Sequence, residues 1–352
     1  MRRCVIGFVV LSMGLGACTN DSKPTRGATT PDVGSTTSLS DRRPVPSAGC
    51  GGGPRARSSM RTVSFAARGE HGVYIEDLPS GYDGSHPLAV VFDLHGYLST
   101  AAIERSISGL GHFGDTHGFI TITPQVDDIV QHWNVSLGGA DLAYLGDLLT
   151  HVERSACVDQ RRVYFAGLSN GAWMTSAVAC AFSARVAAVA AVAGIQDYPG
   201  CRASRPVPVV TFHGTADAYV SYEGGWGPAG LTLPALDGST RTVGQELSIH
   251  PTPTALGPLS EPIPRQVAGW AHRNGCGPEP GVRRLAADVE QIAYPCPAGA
   301  NVDFYRVSGG GHTWPGSKTN AAIGGLTGHT TLSIDAKQII WQFFRSHPLS
   351  GS

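Results

Sequence analysis

Three residues of this chain, a serine, an aspartate and a histidine, each follow an apolar run at a turn and together have the types needed for covalent acyl chemistry. Ser169 lies in Gly167-Leu168-Ser169-Asn170-Gly171, a G-x-S-x-G pentapeptide. Arg162 to Ala166 before it reads as a strand, and Ala172 to Ala181 behind it as a buried helix of small and apolar residues. A strand, a sharp turn and a helix project the serine hydroxyl, and the two glycines let the helix pass close to the strand. Serine alone is a poor nucleophile, so a base and an orienting carboxylate must come from elsewhere in the chain.

Both follow in the order Ser, Asp, His. Val209 to Phe212 is an apolar run that ends in His213-Gly214-Thr215-Ala216-Asp217, and Val302 to Val307 is another that ends in Ser308-Gly309-Gly310-Gly311-His312. Each places its polar residue just past the carboxyl end of a strand, where open parallel sheets form their sites. Asp197 and Asp237 stand in less strand-like contexts than Asp217. An oxyanion needs donors as well. The amide of Asn170, next after the serine, is one; the second is expected from the loop His95-Gly96-Tyr97, after the buried run Leu88 to Leu94, with the Tyr97 amide first and Gly96 as the alternative. His95 and His213 read as buried histidines bonded to loop backbone. Trp133, Trp226 and Trp314, each close to a loop of this set, are candidate substrate contacts.

His95-Gly96, the serine pentapeptide, His213 to Asp217 and Gly310-Gly311-His312-Thr313-Trp314-Pro315 together resemble the secreted esterase family of polyhydroxybutyrate depolymerases, feruloyl esterases and acetyl xylan esterases, over roughly residues 60 to 346. Depolymerase members of that family usually carry Cys where this chain has Tyr97. The resemblance implies a serine carboxylic-ester hydrolase acting through an acyl-enzyme on feruloyl, acetyl or short hydroxyalkanoate esters, small or polymeric. The triad by itself also fits an amidase or peptidase, and a cell-surface adhesion module on the same fold is the reading from a different class. No cofactor and no metal is expected, since no H-E-x-x-H pattern and no C-x-x-C pair occurs.

The elements that must hold these loops alternate between strand and helix. Val73 to Leu78 reads as an edge strand and Phe119 to Pro124 as the strand after the 88–94 run, with room between the last two for a crossover helix. Leu142, Leu145, Leu148, Leu149 and Val152 mark one face of a helix over about 139–155. Val186 to Val192 is a further strand, and Ile334 to Phe344 a closing helix with Ile334, Ile340, Trp341 and Phe344 on its apolar face. The alternation predicts an α/β-hydrolase fold, a mostly parallel, doubly wound sheet with helices on both faces. Ser221 to Pro264, rich in Gly, Pro, Ser and Thr, reads as an insertion near the mouth of the site.

At the amino end, Met1-Arg2-Arg3 and the apolar run Cys4 to Leu15 form a signal peptide over 1–17, and Leu15-Gly16-Ala17-Cys18 resembles a bacterial lipobox, with Cys18 lipidated; ordinary secretion after a nearby cleavage is the alternative. Residues 18–49 are too polar and small to bury a core and read as a tether, leaving 50–349 for the catalytic domain. Six further cysteines remain, Cys50, Cys157, Cys180, Cys201, Cys276 and Cys296, an even number that fits three disulfides in an exported chain, though six allow 15 connectivities. The pairing expected is Cys276 with Cys296, Cys180 with Cys201, and Cys50 with Cys157. A formal net charge of -1 with no basic block argues against nucleic acid. A monomer that touches a membrane only through its lipid, at the cell surface or released, is the expectation that follows.

Overall fold

A computed structural model describes residues 43–51, 60–235, 239–249 and 261–350. The signal peptide, Cys18 and most of the tether lie outside the described residues, as do two stretches of the insertion. In chain order the elements are β1 (Met60–Ala67), β2 (Glu70–Asp77), β3 (Leu88–Leu94), α1 (Ala101–Ser108), α2 (Leu110–His117), β4 (Phe119–Val126), α3 (Ala140–Ser155), β5 (Val158–Leu168), α4 (Asn170–Ala181), β6 (Ala188–Val192) and β7 (Val209–Gly214). Then come α5 (Val243–Ile249), α6 (Ile263–Arg273), β8 (Gly281–Arg284), β9 (Val289–Ala293), β10 (Val302–Val307), α7 (Lys318–Ala322), α8 (Gly324–Thr327) and α9 (Ala336–Ser346).

The strands form one sheet in the order β1-β2-β4-β3-β5-β6-β7-β10-β9-β8. The six central strands, β4, β3, β5, β6, β7 and β10, are parallel, and an antiparallel pair closes each side. Parallel strands are buried on both faces, which is why their sequences are continuous apolar runs. Successive side chains then serve opposite layers. Val90 and Phe92 of β3 pack with Leu145 and Leu149 of α3, Ala177 of α4 and Trp270 of α6. Ala89 and Val91 pack on the other face with Leu110 and Phe113 of α2 and Ile340 and Phe344 of α9. This is the α/β-hydrolase architecture.

Several expectations need correction. The strand read as an edge at 73–78 is β2, and β1 covers its outer side, each residue of Met60–Ala67 paired with one of Glu70–Asp77. Two helices rather than one connect β3 to β4, broken at Gly109 with φ 65°. In α9 the buried side chains are Ala336, Ile340, Phe343 and Phe344. Ile334 precedes the helix, and Trp341 lies half-buried with its ring 4.3 Å from that of Phe119. Residues 43–49, expected in the tether, belong to the fold: Ser47 N–H donates to Val158 O at 2.9 Å and Pro46 bridges Asp159. Pro264, expected to end the insertion, already lies in the first turn of α6, a position that needs no amide donor.

Disulfides join Cys50 to Cys157, Cys180 to Cys201 and Cys276 to Cys296.

Candidate active site

The turn at Ser169 is built by exclusion. A Cβ on Gly171 would stand 2.1 Å from Leu94 O, and one on Gly167 2.6 Å from the carbonyl of Gly171. Neither position admits a side chain, so α4 can begin directly against the end of β5. Ser169 takes φ 57°, ψ -118°, a conformation costly for a residue with a Cβ. Its amide donates to Val192 O at 2.8 Å and its carbonyl accepts from Trp173 N–H at 3.1 Å, so neighbouring elements hold the strain in place. The amide of Asn170 is the first of α4, where helix amides have no intrahelical acceptor and the helix dipole favours negative charge.

Asp217 follows β7 and His312 follows β10, and the two parallel neighbours deliver them to one edge. Their loops press together, for a Cβ on Gly214 would lie 2.2 Å from Gly310 O. Nδ1 of His312 lies 2.7 Å from Oδ2 of Asp217. A carboxylate only accepts, so Nδ1 carries the proton and Nε2 is left as a base. The other oxygen, Oδ1, accepts from the amides of Tyr219 at 2.8 Å and Val220 at 3.0 Å. Burial pushes the Asp217 carboxyl up, but the charge and hydrogen bond of His312, with help from His213 and the Val220 amide, outweigh it and hold the group below the usual aspartate range.

His213 is fully buried and touches this acid. Its Nε2 lies 3.0 Å from Val220 O and 3.4 Å from Asp217 Oδ2. Burial lowers its pKa against the opposing pull of Asp217, and its Nε2–H donates to Val220 O while standing beside the carboxylate without a hydrogen bond to it. Asp197, the rival carboxylate, pairs instead with Arg273 on α6.

Ser169 and His312 line one cavity of about 430 Å³. Its remaining walls are mostly apolar: Ile103 and Ile107 of α1, Leu168, Trp226, Leu233, Ile323 and Leu326, with Tyr97 and Tyr219 between them. Of the three tryptophans singled out from the sequence, only Trp226 is among these lining residues; its ring stands perpendicular to that of Trp173 at 5.6 Å. Trp133 and Trp314 are core residues, 0% and 1% exposed. Trp133 nonetheless braces the site, since Nε1 donates to His95 O at 3.0 Å and its backbone exchanges two bonds with the Asn170 side chain, at 2.6 and 3.0 Å. His95 packs on that indole at 4.9 Å, and burial pushes its imidazole down to about 4. The cavity walls from α1 and from 323–327 carry no motif that marks them in the sequence.

The sheet, the elbow and the edge loops define an α/β-hydrolase fold. Among the proteins this chain is similar to are feruloyl esterases, a bifunctional acetylxylan esterase/xylanase and a poly(3-hydroxyalkanoate) depolymerase. It is 26% identical over 248 residues to feruloyl esterase B of Piromyces equi, covering 68% of this chain and 42% of that one. It is 29% identical over 191 residues to feruloyl esterase D of Neurospora crassa, covering 50% and 63%. The chain thus spans less than two thirds of the length of either relative. Among solved structures, acetyl xylan esterase from Aspergillus awamori superposes with a TM-score of 0.51 over 76% of this chain and 99% of that one at 16% identity, which supports the shared fold. No protein-family model matches the chain.

Proposed function

We propose that this protein is a serine carboxylic-ester hydrolase that works through an acyl-enzyme. The observation that carries the reading is the 2.7 Å contact of His312 with a buried, ionised Asp217, on the wall of a cavity that also contains an elbow serine. Nε2 of His312 takes the proton of Ser169 as Oγ bonds to the ester carbonyl carbon. The negative oxygen is held by the amides of Asn170 and Tyr97. Collapse breaks the ester C–O bond, and the alcohol leaves with the proton from His312. Water then attacks the acyl group, gives its proton to the same nitrogen, and Ser169 is regenerated as the acid departs.

The walls favour an uncharged acyl group, because His312 is the one ionisable side chain besides the two tyrosines among the lining residues. The named activities of the relatives point to feruloyl, acetyl or hydroxyalkanoate esters, and an apolar cavity of this size supports the larger of these. Three disulfides support work in an oxidising compartment outside the cytoplasm. The test is hydrolysis of p-nitrophenyl esters from acetate to octanoate, with methyl ferulate beside them, by wild type and Ser169→Ala. Turnover should fall by roughly 10⁶-fold in the variant. Comparable turnover in pure Ser169→Ala would remove the serine from the mechanism, and a folded wild type inert to all esters and to fluorophosphonate would point to a binding module.

A further inference from the structure

The loop that carries Tyr97 follows β3 and the insertion follows Asp217 after β7, strands that β5 and β6 separate in the sheet, yet the two segments meet over the cavity. Tyr97 lies just past β3 and lines the cavity. Its hydroxyl donates to Pro234 O at 2.6 Å across 137 residues of sequence. The segment it reaches is itself built as a wall. Gly227 N–H donates to Tyr219 O at 2.8 Å, Val243 N–H to Leu233 O at 2.8 Å and Ala235 N–H to Arg241 O at 2.9 Å, while Pro234 bridges Thr242. One end of this wall therefore hangs from the acid loop through Tyr219, and the other is tied to the loop after β3 through Tyr97. Between the two ties stand Trp226 and Leu233, both facing the cavity.

We infer that the Tyr97 hydroxyl is a specificity-determining group: by tying Pro234 it fixes Leu233 and its neighbours as the wall against which a long or aromatic acyl chain packs. This rests on the ester-hydrolase reading and deepens it. A short acyl group fills little of a 430 Å³ cavity and draws little on that wall, whereas a long one depends on its position. Phenylalanine at 97 keeps the ring and the backbone amide and removes the tie.

Two measurements test this. In the first, kcat and KM are determined on p-nitrophenyl acetate and octanoate for wild type, Tyr97→Phe, Leu233→Ala and the double variant. Tyr97→Phe should lower the octanoate-to-acetate ratio of kcat/KM by about fivefold, the range of one lost hydrogen bond, chiefly through KM for octanoate. Leu233→Ala should lower the same ratio, and the double variant should fall short of the product of the two effects, because both act through one wall. An equal loss on both esters would mean that the hydroxyl serves the oxyanion loop alone and would overturn the inference, as would an unchanged ratio. The second measurement is calorimetric binding of methyl ferulate and of octanoate to Ser169→Ala with and without Tyr97→Phe. It needs no turnover, so it decides the point even if wild type hydrolyses none of the esters, an outcome that counts against the hydrolase reading. Weaker binding by about fivefold is expected; identical dissociation constants in the two backgrounds would refute the role of the tie.

Discussion

At the scale of single residues, the site depends on groups that touch no substrate. His213 is such a group. Its Nε2 donates to Val220 O, and Val220 in turn donates its own amide to Asp217 Oδ1, so one imidazole fixes the backbone that holds the acid. Replacing His213 by Phe removes the donor to Val220 O and loosens the Val220 amide that holds Asp217 toward His312. We expect kcat to fall by roughly ten- to a hundredfold with KM little changed, the signature of a group needed for proton transfer rather than binding. His213→Gln, which keeps an N–H, should recover part of that loss, and steady-state kinetics on one p-nitrophenyl ester compares the three proteins. Equal activity of the Phe variant and wild type would limit His213 to packing. The loops of Ser169, Asp217 and His312 were readable in sequence because each follows a run of apolar residues and is flanked by glycines whose absence of a Cβ the close approaches require. Trp133 and Trp314 were not readable in the same way. Sequence places them beside a loop that reaches the site, but adjacency along the chain says nothing of which way a side chain turns, and both indoles turn into the core.

At the scale of elements, α1 forms one wall of the cavity through Ile103 and Ile107, and it is seated on a pair of buried acids. Glu104 of α1 and Asp93 of β3 are both 0% exposed. Ser108 Oγ donates to Asp93 Oδ2 at 2.5 Å, but Asp93 Oδ1 and both oxygens of Glu104 are buried without a hydrogen bond. Burial pushes the Asp93 carboxyl up to about 7, against the pull of the Ser108 hydroxyl and with a further push from Asp77. Burial, and then the Asp93 charge, push Glu104 well above the usual range. Groups whose folded pKa exceeds the unfolded value favour the fold while they are protonated. Their contribution is complete below about pH 4, the unfolded range, and is lost as pH rises through about 7 for Asp93, with Glu104 adding to the loss as it ionises. Thermal melts should therefore show a lower Tm at pH 8 than at pH 5, and Glu104→Gln, which cannot ionise, should narrow that gap by roughly 5 °C. An unaltered gap would mean that other groups set the alkaline limit. The hydrophobic period that made α3 and the central strands legible carries no sign of this pair, because a glutamate in an amphipathic helix reads as solvent-facing until the neighbouring layers are known. The outer strands were missed for a related reason: Met60–Ala67 alternates exposed and half-buried residues, a weaker pattern than the continuous apolar run of a strand covered on both faces.

At the scale of the whole molecule, both ends of the described chain converge on the start of β5, at the edge of the sheet opposite Ser169. Arg161 donates to Leu349 O at 2.7 Å and to Arg43 O at 3.3 Å, Leu349 N–H donates back to Arg161 O, and the Cys50–Cys157 disulfide holds residues 43–51 beside them. The three disulfides differ mainly in the length of chain they close, 107 residues for Cys50–Cys157 against 21 and 20 for the other two. On chain-entropy grounds the long loop stabilises by about 5 kcal/mol and each short one by about 3 kcal/mol. Removing Cys50–Cys157 as a pair of serines should therefore lower the denaturant midpoint more than removing Cys276–Cys296. The expected activity order differs from the stability order. Cys50–Cys157 lies at the far edge, so kcat/KM at 25 °C should stay within about twofold of wild type. Cys180–Cys201 ties the last turn of α4, the helix that begins at Asn170, whose amide is the proposed oxyanion donor, to the loop after β6. Its loss should lower kcat as well as stability, and the two effects separate when activity is measured well below the melting transition. If the serine pair at 50 and 157 cost no more stability than the pair at 276 and 296, the strand pairing of residues 43–51 with β5, rather than the covalent link, would be what holds this end of the chain.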